Sequence, residues 1–428
     1  MALQAQSGVD PPLDRQRRAL IVACVGNAVE YYDFALYAGF STVLTAVLTP
    51  GGWAGFATVF AVFAVSCLFR PLGSLVFGLR ADRSGRRPAL AGTIVLMAVS
   101  TAAIGLLPPW AVIGAAAPVC LLGLRAAQAY SAGGEIGVSV AYLTEVSPPG
   151  QRGRYGQWCI GTAAAGLAAG LGVTALTAAL LDPAALAAWG WRIPFLFALP
   201  LGAIGLFLRR RQIESPLFVA PTGKVRVAKV LKENLPTVRR CFLLAAAFSA
   251  AFNVWFLFLP SYLTTTGTIS LVSALISALT GLVAAALTAP LFGHLSDRVG
   301  RRPVLIGANT TLAVVLLPLY LWTGSGSVVA AVTGSVVVGV ILSAFVLPAF
   351  LAEQFPTRVR STGLGLAYGL GSALVGGTAP LVATILSRLA PVAAVPAYLT
   401  VLVLAALAAT IRLAEKPEMT AAAVVGES

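Results

Sequence analysis

The sequence predicts an all-α membrane protein whose twelve helices cross the bilayer as two sets of six. Of its 428 residues 58% are hydrophobic and 10% charged, where soluble domains carry about 25% charged residues. The apolar residues fall in blocks of about 18 or more, enough at about 1.5 Å per helical residue to cross a hydrocarbon core of about 30 Å. A polar stretch near the middle and a repeated loop motif divide these blocks into halves. An outer-membrane barrel is excluded, because its strands alternate apolar and polar residues whereas stretches 90–107 and 392–411 are apolar on every side.

Breaks at Pro, Gly and charge clusters set the spans in order. The first, 19–48, follows Arg15, Arg17 and Arg18 and continues through Glu30 and Asp33 without a small-residue cleavage site, so it reads as a membrane helix and not a removable signal peptide. The next five are 55–80, 88–107, 111–146, 153–181 and 190–211. Residues 212–238, with Pro216, Pro221, Pro236 and several lysines, read as a cytoplasmic linker carrying one short surface helix. The last six spans are 239–265, 270–296, 303–323, 328–354, 360–388 and 393–413. Segments 1–211 and 239–428 are therefore two six-helix bundles.

An internal repeat supports the division. Gly78-Leu-Arg-Ala-Asp82-Arg83-Ser-Gly85-Arg86-Arg87-Pro88 recurs as Gly293-His-Leu-Ser-Asp297-Arg298-Val-Gly300-Arg301-Arg302-Pro303, and Tyr142 to Glu145 is echoed by Phe350 to Glu353. Parallel repeats with a site between them are a transporter signature.

The net charge of +14 would suit a nucleic-acid binder, but its distribution does not. With both termini inside, about 25 of the 29 cations fall in cytoplasmic segments and only Arg192 and Arg388 lie outside, an asymmetry that sets orientation by the positive-inside rule. Cysteines introduced in the N-terminal tail or the linker should therefore resist an impermeant thiol reagent added to intact cells; labelling at either would overturn this topology. The five cysteines sit singly and there is one histidine, so neither a metal site nor a disulfide framework is expected, and no cofactor. An intramembrane enzyme lacks a nucleophile and base pairing, and a receptor lacks an extramembrane domain.

Arg70 and Arg125 lie inside spans, as do Glu30, Asp33 and Glu135. Each such charge costs about 2.5–3.5 kcal/mol on insertion scales and marks function by default. Asn27, Glu30, Asp33 and Tyr37 share one face of the first helix; Arg125, Gln128 and Glu135 share one face of the fourth. A carboxyl alternating between arginine pairing and protonation is a proton switch, so Asp33, Arg125, Glu30 and Glu135 are the coupling candidates. Arg70, a guanidinium at mid-depth, suits a carboxylate; Tyr37, Gln128, Asn253, Trp255 and Tyr368 join it as substrate candidates. Gly78, Asp82, Arg83 and Arg86, with Gly293, Asp297, Arg298 and Arg301, read as gate elements: inter-helix salt bridges that shut the cytoplasmic side, with glycines for close packing and tight turns. The pairs Gly133/Gly137, Gly166/Gly170 and Gly365/Gly369 read as packing seams. His294 reads as a solvated interfacial residue.

The two loops resemble the helix 2–3 and 8–9 loops of the major facilitator superfamily. More narrowly, Gly26-Asn-Ala-Val-Glu30-Tyr31-Tyr32-Asp33-Phe34, Arg70-Pro71-Leu-Gly73, Arg125-Ala-Ala-Gln128, Gly133-Gly134-Glu135, Trp189-Gly-Trp-Arg192, Glu353-Gln-Phe355-Pro356 and Gly376-Gly377-Thr-Ala-Pro380 resemble the metabolite:proton symporter family, which carries 2-oxoglutarate, citrate, shikimate, and proline or betaine. The resemblance implies a major facilitator fold in the plasma membrane, working as a monomer on a small solute and protons by rocking of the halves. Asp33 with Arg125 also resembles the helix 1 acid and helix 4 arginine of proton-coupled sugar porters, which places Asp33 ahead of Glu30 as coupling site. The family usually has Trp at Tyr31, and its dicarboxylate carriers tend to carry a cavity-facing cation in the C-terminal helices. Helices 7 to 12 offer none at mid-membrane, so the expected substrate bears one carboxylate, as a monocarboxylate or a zwitterion. A proton-antiport exporter is the alternative on the same fold.

Overall fold

A computed structural model describes residues 13–148, 150–210, 234–355, 360–390 and 393–413, and among these every regular element is helical. In chain order the long helices are α1 (Leu13–Gly39), α2 (Gly52–Ser84), α3 (Arg86–Gly105), α4 (Ala116–Val146), α5 (Arg152–Leu180), α6 (Pro183–Arg210), α7 (Leu235–Thr265), α8 (Leu271–Val299), α9 (Arg301–Thr323), α10 (Val328–Glu353), α11 (Arg360–Leu389) and α12 (Ala394–Arg412). Ten of them are long and apolar enough to cross a membrane. α1 and α4, of 27 and 31 residues, have the length as well.

α6 starts seven residues before the expected position because Asp182 caps it: its carboxylate accepts from the N–H groups of Ala184 and Ala185, both at 2.9 Å, and Pro183 follows at the first helical position. The expected surface helix of the linker lies outside the described residues.

The halves meet where α5 packs along α8 and where α2 and α4 pack against α11. Glycines set the approach of α4 to α11 and, within the first half, that of α5 to α1. A Cβ on Gly137 would stand 2.9 Å from the Gly365 Cα, and one on Gly170 would stand 2.7 Å from the Tyr32 carbonyl of α1. The expected seams on α4, α5 and α11 are thus real contacts.

Several helices at this interface are interrupted ahead of a proline, whose missing N–H breaks the ladder. α2 is broken at Leu68 and Phe69 before Pro71, and α10 at Ala344 to Val346 before Pro348. α7 and α11 each carry a π turn, Val254–Phe258 before Pro260 and Ser372–Gly376 before Pro380. Discontinuous helices at mid-membrane are where transporters build sites.

Candidate functional site

The break in α2 puts Arg70 at the start of a new helical segment, facing a cavity of about 70 Å³ between the halves. The first half lines it with Tyr31, Phe34, Arg70 and the α5 stretch from Ile160 to Leu167; the second half contributes Phe248, Ser249, Phe252, Asn253, Phe256 and Tyr368. Arg70 is the one charged side chain among the lining residues, and no acidic group among the described residues lies within ion-pair distance of it. Its Nε has no hydrogen-bond partner, and its guanidinium carbon lies 4.8 Å from the centroid of the Phe34 ring. Phe248, Phe252 and Phe256, one turn apart on α7, form a continuous aromatic wall with successive centroids 6.0 and 5.2 Å apart.

Behind Phe34 lies a second, fully enclosed site. Arg125 is completely buried, its guanidinium carbon 4.8 Å from the Phe34 ring centroid, 4.2 Å from Tyr37 and 5.3 Å from Phe63. Rings attract a cation without neutralising it. Its Nη1 donates to Gln128 Oε1 at 2.7 Å, while Nε and Nη2 have no partner. Gln128 Nε2 donates to Thr101 Oγ1 at 2.6 Å, and that hydroxyl donates to the Met97 carbonyl at 2.9 Å. Thr101 also faces the carboxyl of Asp33, which is buried with Oδ1 unpartnered. Asp33 reaches Arg125 by way of Thr101 and Gln128, and the two are not ion-paired here.

The sequence candidates therefore separate. Arg70, Asn253 and Tyr368 line the cavity, and the Asn253 amide is fixed by donating to the Gly376 carbonyl at 2.8 Å. Tyr37 and Gln128 do not line it; they belong to the Arg125 pocket, with the Tyr37 hydroxyl donating to the Val59 carbonyl at 2.6 Å. Trp255 is buried within the second half, donating to Ser335 and packing edge-on against Tyr320. Glu135 stands apart from Asp33: it is ion-paired with Arg209 of α6 and accepts from Thr93 at 3.0 Å, with both charged side chains fully buried. Arg209, expected in the cytoplasmic segment, is drawn inside by that pair. The Glu30 candidate lies outside the described side chains. Thr101, Phe34 and the α7 phenylalanines were missed; the phenylalanines repeat every four residues, a stripe that a lipid-facing surface would show equally.

At the end of the bundle where the two loop motifs lie, they make a quasi-symmetric closure. Asp82 pairs with Arg86 at 2.9 Å and Asp297 with Arg301 at 2.8 Å, each bridge joining two helices of one half, as the motif predicts. What joins the halves is different. Asp82 Oδ2 accepts from the Thr362 hydroxyl at 2.6 Å and its N–H at 3.2 Å, in the first turn of α11. Asp297 accepts from the N–H groups of Gly153 at 2.8 Å and Arg154 at 2.9 Å, in the first turn of α5. Each carboxylate thus sits on a helix N-terminus of the opposite half, where the exposed N–H groups and helix dipole favour negative charge. Glu145 adds an inter-half pair to Arg360 at 3.4 Å. Gly85 and Gly300 turn at φ of 99° and 96°, a region closed to most side chains, and a Cβ on Gly78 would come 3.3 Å from the Thr362 Cα. Arg83, Arg298 and His294 are exposed, and the ion pairs at the closure run through Arg86, Arg301 and Arg360. At the opposite end the hydroxyls of Ser41 and Ser261 meet at 2.6 Å, Phe60 packs edge-on against Phe258, and Arg388 lies over Trp53. The halves thus touch at both ends of the bundle.

Comparison with known proteins agrees with this architecture. Residues 19–240 match the family described as Sugar (and other) transporter. The chain is 34% identical over 400 residues to the proline/betaine transporter of Escherichia coli K12, covering 89% of this chain and 80% of that one. It is 36% identical over 416 residues to the ectoine/proline transporter ProP of Corynebacterium glutamicum, covering 90% and 81%. Among solved structures, the proton:xylose symporter XylE of E. coli superposes with a TM-score of 0.76 at 17% identity, covering 93% of this chain and 95% of that one. The chain belongs to the major facilitator superfamily, in its sugar (and other) transporter family, and groups there with the proline/betaine transporters.

Proposed function

We propose that the chain is a proton-coupled importer of a small zwitterion bearing one carboxylate and a cationic, preferably fully substituted, nitrogen. The observation that carries this reading is the cavity's pairing of a lone guanidinium with aromatic walls and no carboxylate among its lining residues. Arg70 presents a fork that fits a carboxylate. A nitrogen without N–H groups needs no acceptor and is held by ring faces, which Tyr31, Phe34, Phe248, Phe252, Phe256 and Tyr368 supply. The names of the relatives, carriers of proline, betaine and ectoine, support the same class. It works as a monomer in the plasma membrane with both termini cytoplasmic.

Coupling follows from charge. Ionised, Asp33 neutralises Arg125; protonated, it leaves the guanidinium uncompensated beside the Phe34 ring that Arg70 also contacts. Loading the proton thereby adds one positive charge next to the substrate site and raises its affinity for a carboxylate. By linkage, the carboxylate raises the affinity for the proton equally. The test is uptake of labelled proline, betaine, xylose and citrate into proteoliposomes with and without an inward proton gradient. Accumulation of the zwitterions, only with the gradient, is expected. Accumulation of xylose or citrate instead, or proton-driven extrusion, would overturn the reading.

Asp82 and Asp297 act as the cytoplasmic latch. Charge-assisted hydrogen bonds contribute about 1.5–3 kcal/mol each, so the double variant Asp82→Asn/Asp297→Asn should favour the inward-open form at least tenfold. A cysteine placed at Ser343 in the cavity wall, in a background without other reactive thiols, should then react correspondingly faster from the cytoplasmic side of inside-out vesicles. An unchanged rate would remove the latch role.

A further inference from the structure

Between the two charged partners of the coupling site stands a neutral side chain. Gln128 presents its Oε1 to Arg125 at 2.7 Å, and this is the hydrogen bond that Arg125 makes; its remaining surroundings are rings. On its other side Gln128 holds Thr101, the hydroxyl that faces Asp33. A glutamine amide has nearly the shape of a carboxylate and one oxygen acceptor, but no charge. A buried guanidinium stripped of every acceptor would be costly, so something must hold Arg125 whenever Asp33 does not. Resting on the coupling roles given above to Asp33 and Arg125, we propose that Gln128 is a placeholder. Its amide occupies the acceptor position on Arg125 while Asp33 carries its proton, and yields to the Asp33 carboxylate when the proton leaves. Gln128 is thus a positioning residue, acting through Arg125 and not on the substrate.

Tyr37 of α1, with Cys67 and Arg70 of α2, bears electrostatically on Arg125, and Tyr32 lies beside Asp33; α3 brings Thr101. Of these neighbours only Arg70 carries a formal charge near neutral pH, and it has the same sign as Arg125.

Two variants test the placeholder. Gln128→Glu keeps the shape and installs a competing carboxylate at Arg125. Accumulation driven by a pH gradient should fall to less than about twofold, while exchange between equal substrate concentrations stays within about tenfold of wild type. Gln128→Met keeps the bulk and removes the acceptor, so the ionised Asp33 pair with Arg125 gains relative to the protonated state. Half-maximal uptake should then move to lower pH by about one unit or more. A merely structural residue would lower uphill uptake and exchange together and leave the pH profile where it was, and that outcome in both variants would overturn the proposal. Asp33→Asn, measured alongside, separates the layers: if it still accumulates substrate, the coupling reading fails; if it does not and both Gln128 variants keep the wild-type profile, the placeholder alone fails.

Discussion

Replacing Asp33 by Asn is expected to abolish accumulation of substrate against a gradient while exchange across the membrane persists. A proton gradient of one pH unit stores about 1.4 kcal/mol, so a carrier coupling one proton to one solute can concentrate it about tenfold. An asparagine keeps the shape of the protonated acid and cannot release a proton, so Arg125 has no carboxylate to take and stays on the Gln128 amide that holds it here. The accumulation ratio should therefore fall to about one in proteoliposomes carrying a pH gradient, whereas counterflow of labelled substrate continues. Glu30→Gln, on the same helix, should damage transport less selectively. If Asp33→Asn still drives pH-dependent uphill uptake and Glu30→Gln does not, the two acids exchange roles. If both variants do, the driving ion is not a proton carried by either.

Arg70→Lys should lose most transport although it preserves the charge. Arginine offers two parallel N–H donors to a carboxylate, and lysine a single mobile ammonium. Hydrogen bonds to charged groups are worth about 1.5–3 kcal/mol, so losing one predicts a fall of about tenfold to a hundredfold in kcat/KM. The effect should be largest for the shortest zwitterions, which have little else to hold. A variant that transports at the wild-type rate would show that the carboxylate does not bind at Arg70. Neither Asn253 nor Tyr368, both on the cavity wall, could supply a replacement charge.

Those two experiments concern residues that were legible before any coordinates, and for a physical reason. A charge inside an apolar span is expensive enough to be recognised as functional wherever it occurs, and Asp33, Arg70 and Arg125 all stood out on that ground. The repeated loop marked the two motifs whose carboxylates meet helices of the opposite half. The sequence did not show which way a polar side chain faces once its helix packs. Trp255 and Tyr37 were plausible cavity residues by type, yet α7 turns Trp255 toward Ser335 and Tyr320, and the α1–α2 contact turns Tyr37 under Arg125. Arg209 sits in a run of three arginines and reads as cytoplasmic, until its long side chain meets Glu135 of α4 inside the bundle. Thr101 carried no signal at all, since a threonine in an apolar helix usually bonds its own backbone, as this one also does. The motif carboxylates were expected in salt bridges between helices; the contact they make across the halves is carboxylate on helix N-terminus, a property of the backbone that no residue pattern announces.

The acid and the two arginines of both sites, Asp33, Arg70 and Arg125, all belong to the first half, whereas α7 of the second half offers the cavity an uncharged wall of Phe248, Ser249, Phe252, Asn253 and Phe256. On the roles proposed above, the proton chemistry and the carboxylate anchor lie in the first half, and the wall that faces the rest of the solute is largely on α7. Drift on α7 can reshape the wall against the tail of the solute while the proton chemistry, and the anchor for its carboxylate, remain untouched. Such a carrier can change its diet without having to reinvent its engine, and a library confined to those five wall positions is the economical place to look for new cargo.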